Sequence, residues 1–178
     1  MADLAWPLMI NRIRDGEKSN AYGKVRTNKD GTPRVHQGWD LQTPRGMHCY
    51  AVANGAILET QTKPNDKGYG EYVLLQFDNP VGEARYAFYG HLSQIFVQKG
   101  DRVRVGDPIG LVGVTGNAVR LAKGDDLSTL ALPKPEDHLH FELRSLPKPS
   151  GLHGCLDPQK IYGQVPLTSA VIALRSAG

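Results

Sequence analysis

Cysteine is scarce: Cys49 and Cys155 are the two in 178 residues, and they form no Cys-x-x-Cys pair. That excludes a zinc ribbon and a thioredoxin-like redox centre. It leaves buried thiols as the favoured reading, with one long-range bridge as the alternative in an oxidising compartment. Long hydrophobic runs are missing too. "SAVIAL", near the C-terminal end, falls far short of the roughly 20 apolar residues of a spanning helix, so no membrane span is expected. The opening "MADLAWPLMI" carries Asp3 where a signal peptide carries positive charge and is broken by Pro7, so no secretory signal is read there. Nor is there a block of charge of one sign: 21 basic and 18 acidic residues are interspersed, for a net charge of +3 and a pI near 8.9. A nucleic-acid partner needs a clustered basic stripe and is not expected, although the balance favours approach to an anionic polymer.

What the chain does have is turns. Twenty Gly and twelve Pro punctuate a sequence that is 40% hydrophobic, which points to one β-rich domain of short elements. "YAVANGAILETQ", "GEYVLLQFDNP" and "ARYAFYGHLS" read as strands closed by turn residues. "GDRVRVGDPIGLVGVTG" alternates Val with charge before turns at Gly106 and Gly110, and reads as a hairpin with one wet face. "HLHFELRS" reads as a further strand from His138. Between Gly116 and His138 lies a Pro-rich surface excursion with no clear period. No internal repeat or low-complexity tract is present.

Six histidines, His36, His48, His91, His138, His140 and His153, include one patterned group. Period-2 alternation puts His138, His140 and Glu142 on one strand face and Leu139, Phe141 and Leu143 on the other. The two imidazoles then stand side by side, about 7 Å apart at their α-carbons. A lone His-x-His is common on exposed strand faces and is a weak signal. His36 and Asp40 offer nitrogen and carboxylate oxygen around Gly38, which would permit a bend aiming both at one point. With one histidine of His-x-His they make three ligands, leaving a tetrahedral Zn²⁺ an open position, as in catalytic sites. His91 follows Gly90 at a strand end, where a side chain can enter a cleft. His48 and His153 read as surface or packing residues, and Glu142 more as a wet-face carboxylate than as a partner orienting an imidazole.

Taken in order, "HQGWD", "YAVANGAI", "YGHLS", "VQKGDRVRVGDPIGLVGVTG" and "HLHFEL" resemble the M23 peptidases, the lysostaphin- and LytM-like zinc endopeptidases that cut peptide cross-bridges in bacterial peptidoglycan. The resemblance implies an all-β fold, an antiparallel sheet core with an open substrate groove, related to barrel-sandwich architectures. It implies that His36, Asp40 and His140 are the zinc ligands and that His91 and His138 are catalytic residues that bind no metal, with their division of labour open. It implies peptidoglycan stem peptides and cross-bridges as substrate, with D-alanyl cross-links preferred over glycyl bridges. The rival is a non-catalytic LytM-like module that binds peptidoglycan or activates a hydrolase; all five expected positions are occupied here, which counts against it. The "GDRVRVGDPIG" segment also resembles biotinyl and lipoyl carrier hairpins, but no modified-lysine tip is found.

The expected organisation is an N-terminal extension over 1–33 packing on the domain, a peptidase domain over 34–163 with an insertion at 117–137, and a tail over 164–178. The insertion departs from the family pattern and is expected to line or cover the cleft. Action in the periplasm or cell wall without a visible leader suggests a phage lysin, an effector exported by another route, or a piece of a longer exported protein. A delivery or immunity partner would fit, and a monomer is the favoured state.

Overall fold

Alternation of large apolar residues along three long segments sets up the core. In a computed structural model describing residues 4–63, 68–120, 137–167 and 170–171, Val73 and Leu75 lie in register with Tyr89 and Ala87 on the adjoining strand. Tyr89 and Ala87 in turn pair with Phe141 and Leu143. Trp39 continues the row beyond Phe141. Trp39, Val73, Tyr89 and Phe141 are fully buried, each contributing on the order of 1.5–3 kcal/mol of transfer free energy.

The elements in chain order are β1 (Ile10–Asn11), β2 (Gly23–Thr27), β3 (Pro33–His36), β4 (Trp39–Gln42), β5 (His48–Tyr50), β6 (Gly55–Gln61), β7 (Glu71–Val81), β8 (Ala84–Ile95), β9 (Arg102–Val103), β10 (Pro108–Val112), β11 (His138–Arg144), β12 (Cys155–Leu156), the one-turn helix α1 (Gln159–Tyr162) and β13 (Ala170–Val171). Nine of the strands form one antiparallel sheet whose main path runs β12-β11-β8-β7-β6-β9; β4 pairs with β11, and β10 bridges β5 and β8. The all-β, antiparallel expectation holds, with three strands near the expected runs. β9 and β10, however, do not form the expected hairpin. β9 pairs with β6, while β10 pairs with β5 and β8. Alternation reports which residues share a face, not which strand lies alongside.

β8 changes partners along its length, and this positions the site. Its first half, through Gly90, pairs with β11; from Leu92 onward it pairs with β10. His91 sits at the hand-over with φ of 63°, a left-handed conformation that non-glycine residues adopt at a cost. Its backbone is tied on both sides, N–H to Tyr69 O at 2.8 Å and O to Gly113 N at 2.9 Å.

The residues before β2 are built into this body. Leu4, Leu8 and Ile13 belong to the core, Trp6 stacks on Trp39 at 6.1 Å between centroids, and Ile13 bridges to Leu41 of β4. Both cysteines are free and buried. Residues 121–136, most of the expected insertion, lie outside the described residues, as does much of the expected tail. Among the described residues no helix is long and apolar enough to cross a membrane.

Candidate metal and catalytic site

The register of three strands assembles the site. Asp40 of β4 lies opposite His140 of β11, which lies opposite Gly90 of β8. His36, the last residue of β3, comes in from the side. The three candidate ligands thus converge: His140 Nδ1 is 2.8 Å from Asp40 Oδ1, His36 Nε2 is 3.0 Å from the same oxygen, and the two nitrogens are 3.2 Å apart. All three residues are buried.

Gly38 serves this convergence at a bend between β3 and β4, as expected, and a close approach there adds a second reason for glycine. A Cβ there would lie 2.1 Å from the Phe141 carbonyl oxygen, so the turn between β3 and β4 can pass over β11 only where a side chain is missing. The ligands themselves sit on strands, not on a loop.

Proton accounting tests whether a cation fits. His36 Nδ1 donates to Ala21 O at 2.7 Å, so Nε2 of the neutral ring is a bare lone pair. His140 Nε2 donates to Glu142 Oε1 at 2.8 Å, which leaves Nδ1 bare in the same way. Asp40 keeps its charge: burial opposes it, but His138, His36 and His140 around it hold the carboxyl well below the usual range. Its other oxygen, Oδ2, accepts from Arg26, which also bonds Ser19 O at 2.8 Å. Three electron-pair donors therefore face one another in a buried space, two nitrogens and one oxygen, a set suited to Zn²⁺.

Without a cation the same cluster must hold a proton. Burial alone would lower the pKa of His140, yet its hydrogen bonds to Asp40 and Glu142 push it up to about 9. Burial likewise works against the Glu142 carboxylate, but His140 and Arg144 hold it down at about 2.

Glu142 departs from expectation. It is fully buried rather than on a wet face, gripped by His140 Nε2 and by Arg144 Nε at 2.6 Å. Arg144 lies 4.0 Å over the Phe88 ring and donates to Pro147 O at 3.1 Å. The polar side of β11 is thus a satisfied buried network that fixes the His140 ring. The Tyr69 ring, 5.1 Å from that of His140, covers it and bonds Gln37.

His91 and His138 stand beside the cluster with ring centroids 4.9 Å apart. His91 Nδ1 donates to Thr115 O at 2.8 Å, so its Nε2 is a free acceptor. Burial, reinforced by His138 and His140, lowers its pKa to about 3 and keeps it neutral. His138 has the opposite sense. Arg14 Nη1 lies 3.4 Å from its Nδ1, and an arginine can only donate. Nε2 then carries the hydrogen, 3.7 Å from Asp40 Oδ1. His48 and His153 lie outside the site; His48 is exposed and stacks near Tyr50 and Phe96.

Sequence reasoning missed Arg14, the Ala21 carbonyl and Arg26, which reach His138, His36 and Asp40 respectively. Each contact spans from 14 to 124 residues, and no local pattern marks it.

Comparison with known proteins bears on the family. The profile of peptidase family M23 matches residues 34–151. The chain is 33% identical over 114 residues to the peptidoglycan DD-endopeptidase ShyA of Vibrio cholerae serotype O1, covering 63% of this chain and 21% of that protein. It is 33% identical over 138 residues to the DD-carboxypeptidase/endopeptidase Mpg of Neisseria meningitidis serogroup B, covering 78% of this chain and 25% of that protein. The chain therefore spans a quarter or less of the length of these relatives. The solved catalytic domain of lysostaphin from Staphylococcus simulans superposes with a TM-score of 0.56 at 25% identity, over 81% of this chain and 90% of that domain. With the family profile covering well over half its length, the chain belongs to peptidase family M23.

Proposed function

We propose that this domain is a zinc-dependent endopeptidase that hydrolyses peptide cross-links of bacterial peptidoglycan, with D-alanyl cross-links as the favoured bond. The observation that carries the reading is the convergence of three candidate donor atoms, on His36, Asp40 and His140, beside two histidines anchored in opposite senses. The preference for D-alanyl bonds is supported by two relatives named as DD-peptidases.

His36, Asp40 and His140 would hold the ion, and Zn²⁺ bound there supplies Lewis acidity to the scissile carbonyl and to an attacking water. The remaining work falls to the chain. His91, neutral and with Nε2 free, accepts the proton of the water. His138, with its proton on Nε2, donates a hydrogen bond to the oxygen of the carbonyl as charge develops there. The proton taken by His91 then passes to the leaving amine. Glu142 and Arg144 keep the His140 ring turned toward the donors, and burial of the cluster strengthens each of these interactions.

The test is mass spectrometry of fragments released from purified cross-linked peptidoglycan, with and without a zinc chelator, for the native protein and for His138→Ala. Expected are chelator-sensitive loss of cross-linked dimers with new peptide ends at D-alanine, and a variant that keeps zinc but loses turnover. Binding to sacculi with every peptide bond intact would overturn the reading in favour of a non-catalytic module.

A further inference from the structure

Residues 12–14 extend the site by one more strand position. Arg12 O accepts from Gln42 N at 2.8 Å, and Ile13 bridges to Leu41. Leu41 and Gln42 pair with Leu139 and His138 of β11. Alternation then follows across all three segments. Ile13, Leu41 and Leu139 are fully buried on the core face, while Arg14, Asp40 and His140 share the opposite face. Arg14 thus reaches the site by register, although it precedes the region that matches the family profile.

The local backbone confirms that this placement is held. Arg14 begins a 3₁₀ turn, Arg14–Gly16, in which Asp15 has φ of 57° and Gly16 of 66°. Asp enters the left-handed region more readily than most residues, and Gly follows without cost. The turn is pinned by Asn20 Nδ2 and Glu17 N, both donating to Arg14 O at 2.9 and 3.2 Å, and by Ile13 N donating to Pro166 O at 2.7 Å. The side chain is 18% exposed, and its Nε makes no hydrogen bond, with the Asp15 carboxylate 3.7 Å away. A guanidinium is expensive to sequester for packing alone. What its terminal nitrogen meets is Nδ1 of His138.

We infer that Arg14 is a positioning residue: by donating to His138 Nδ1 it fixes the orientation and tautomer of that ring, so that Nε2–H faces the scissile carbonyl. The inference rests on the functional reading above for its consequence, but not for the tautomer itself. A partner that selects one imidazole tautomer can govern turnover without touching substrate, as loss of the orienting carboxylate does in Ser-His-Asp sites. Arg14 divides the two histidines that sequence alone leaves equivalent. His91 is anchored by an acceptor, the Thr115 carbonyl, and His138 by a donor, so the two rings are set as base and hydrogen-bond donor.

The experiment compares zinc-loaded native protein, Arg14→Met and Arg14→Lys. Ring-¹⁵N NMR of histidine-labelled protein reads the His138 tautomer directly. The native ring and Arg14→Lys should show protonated Nε2 and bare Nδ1, whereas Arg14→Met should lose that state. On cross-linked peptidoglycan, Arg14→Met should lower kcat at least about tenfold with KM and zinc content unchanged, and Arg14→Lys should recover much of the loss. An unaltered tautomer in Arg14→Met overturns the inference. So does an equal loss in Met and Lys variants that tracks lowered melting temperature, since that marks a structural role. Should the native protein cleave nothing, the functional reading fails, and the NMR comparison still decides the role of Arg14.

Discussion

Leu139, Phe141 and Leu143 project from one side of β11 and His138, His140, Glu142 and Arg144 from the other, and all seven are buried. The apolar side is held by contact area, which any side chain of similar volume supplies in part. The polar side is held by individual atoms. Nε2 of His140 has Glu142, both Glu142 oxygens have partners, and Arg144 is shared between carboxylate, carbonyl and the Phe88 ring. Removing one member there strands another in a medium that cannot solvate it. One strand therefore carries two kinds of constraint: the apolar face sets how stable the fold is, and the polar face sets what the cleft can bind.

Two substitutions at adjacent positions break this comparison most sharply. His140→Ala should reduce zinc content to background and abolish cleavage, and its cost to folding is the loss of one partner of Glu142, which retains Arg144 on its other oxygen. Phe141→Ala should do the reverse. It should lower the unfolding free energy by about 3–5 kcal/mol, read from denaturant midpoints, while the folded protein keeps its zinc. If Phe141→Ala strips zinc under conditions where it is fully folded, the two faces are one unit and the distinction fails.

A smaller effect sharpens the polar half. Glu142→Gln keeps the shape but weakens the acceptor for His140 Nε2–H. Zinc affinity should then fall by about 10–100-fold in a competition titration with a chromophoric chelator. An unchanged affinity would reduce Glu142 to a counter-charge for Arg144.

The apolar half of β11 is visible in "HLHFELRS" because a two-residue period needs no knowledge of what lies alongside. The polar half is only half visible. Alternation puts Glu142 beside His140, but whether that face meets water or a buried guanidinium depends on Phe88 and Arg144 closing over it, which is a matter of sheet pairing. Ligand roles for His36, Asp40 and His140 are implied by likeness to a family, since His-x-x-x-Asp alone is too common to carry them. Gly38 shows the same limit. Its spacing predicts the bend, but what excludes any other residue is the carbonyl of Phe141, more than a hundred residues along the chain. β9 and β10 are legible as strands but not as to their partners, because pleat is local and pairing is not.

The last effect concerns pH and separates the metal-free from the zinc-loaded site. In metal-free protein His140 has its pKa raised to about 9 from an ordinary value of 6.5, so its contribution to stability is full below about 6.5 and is lost as pH rises through about 9. The buried neutral rings do not confuse this window: His36 and His91 are lowered by burial, so what they impose arises only below about 6.5, where the unfolded chain gains their protons. Glu142, held at about 2, acts lower still. A Zn²⁺ held by His36, Asp40 and His140 would take the place of that proton, and deprotonation of the free site would favour binding. Melting temperatures of metal-free and pre-loaded protein should therefore diverge between about pH 7 and about pH 9, the metal-free form falling and the loaded form holding. Parallel curves would mean that His140 does not exchange a proton for the ion, and that the donors converging around Asp40 are a structural cluster rather than a metal site.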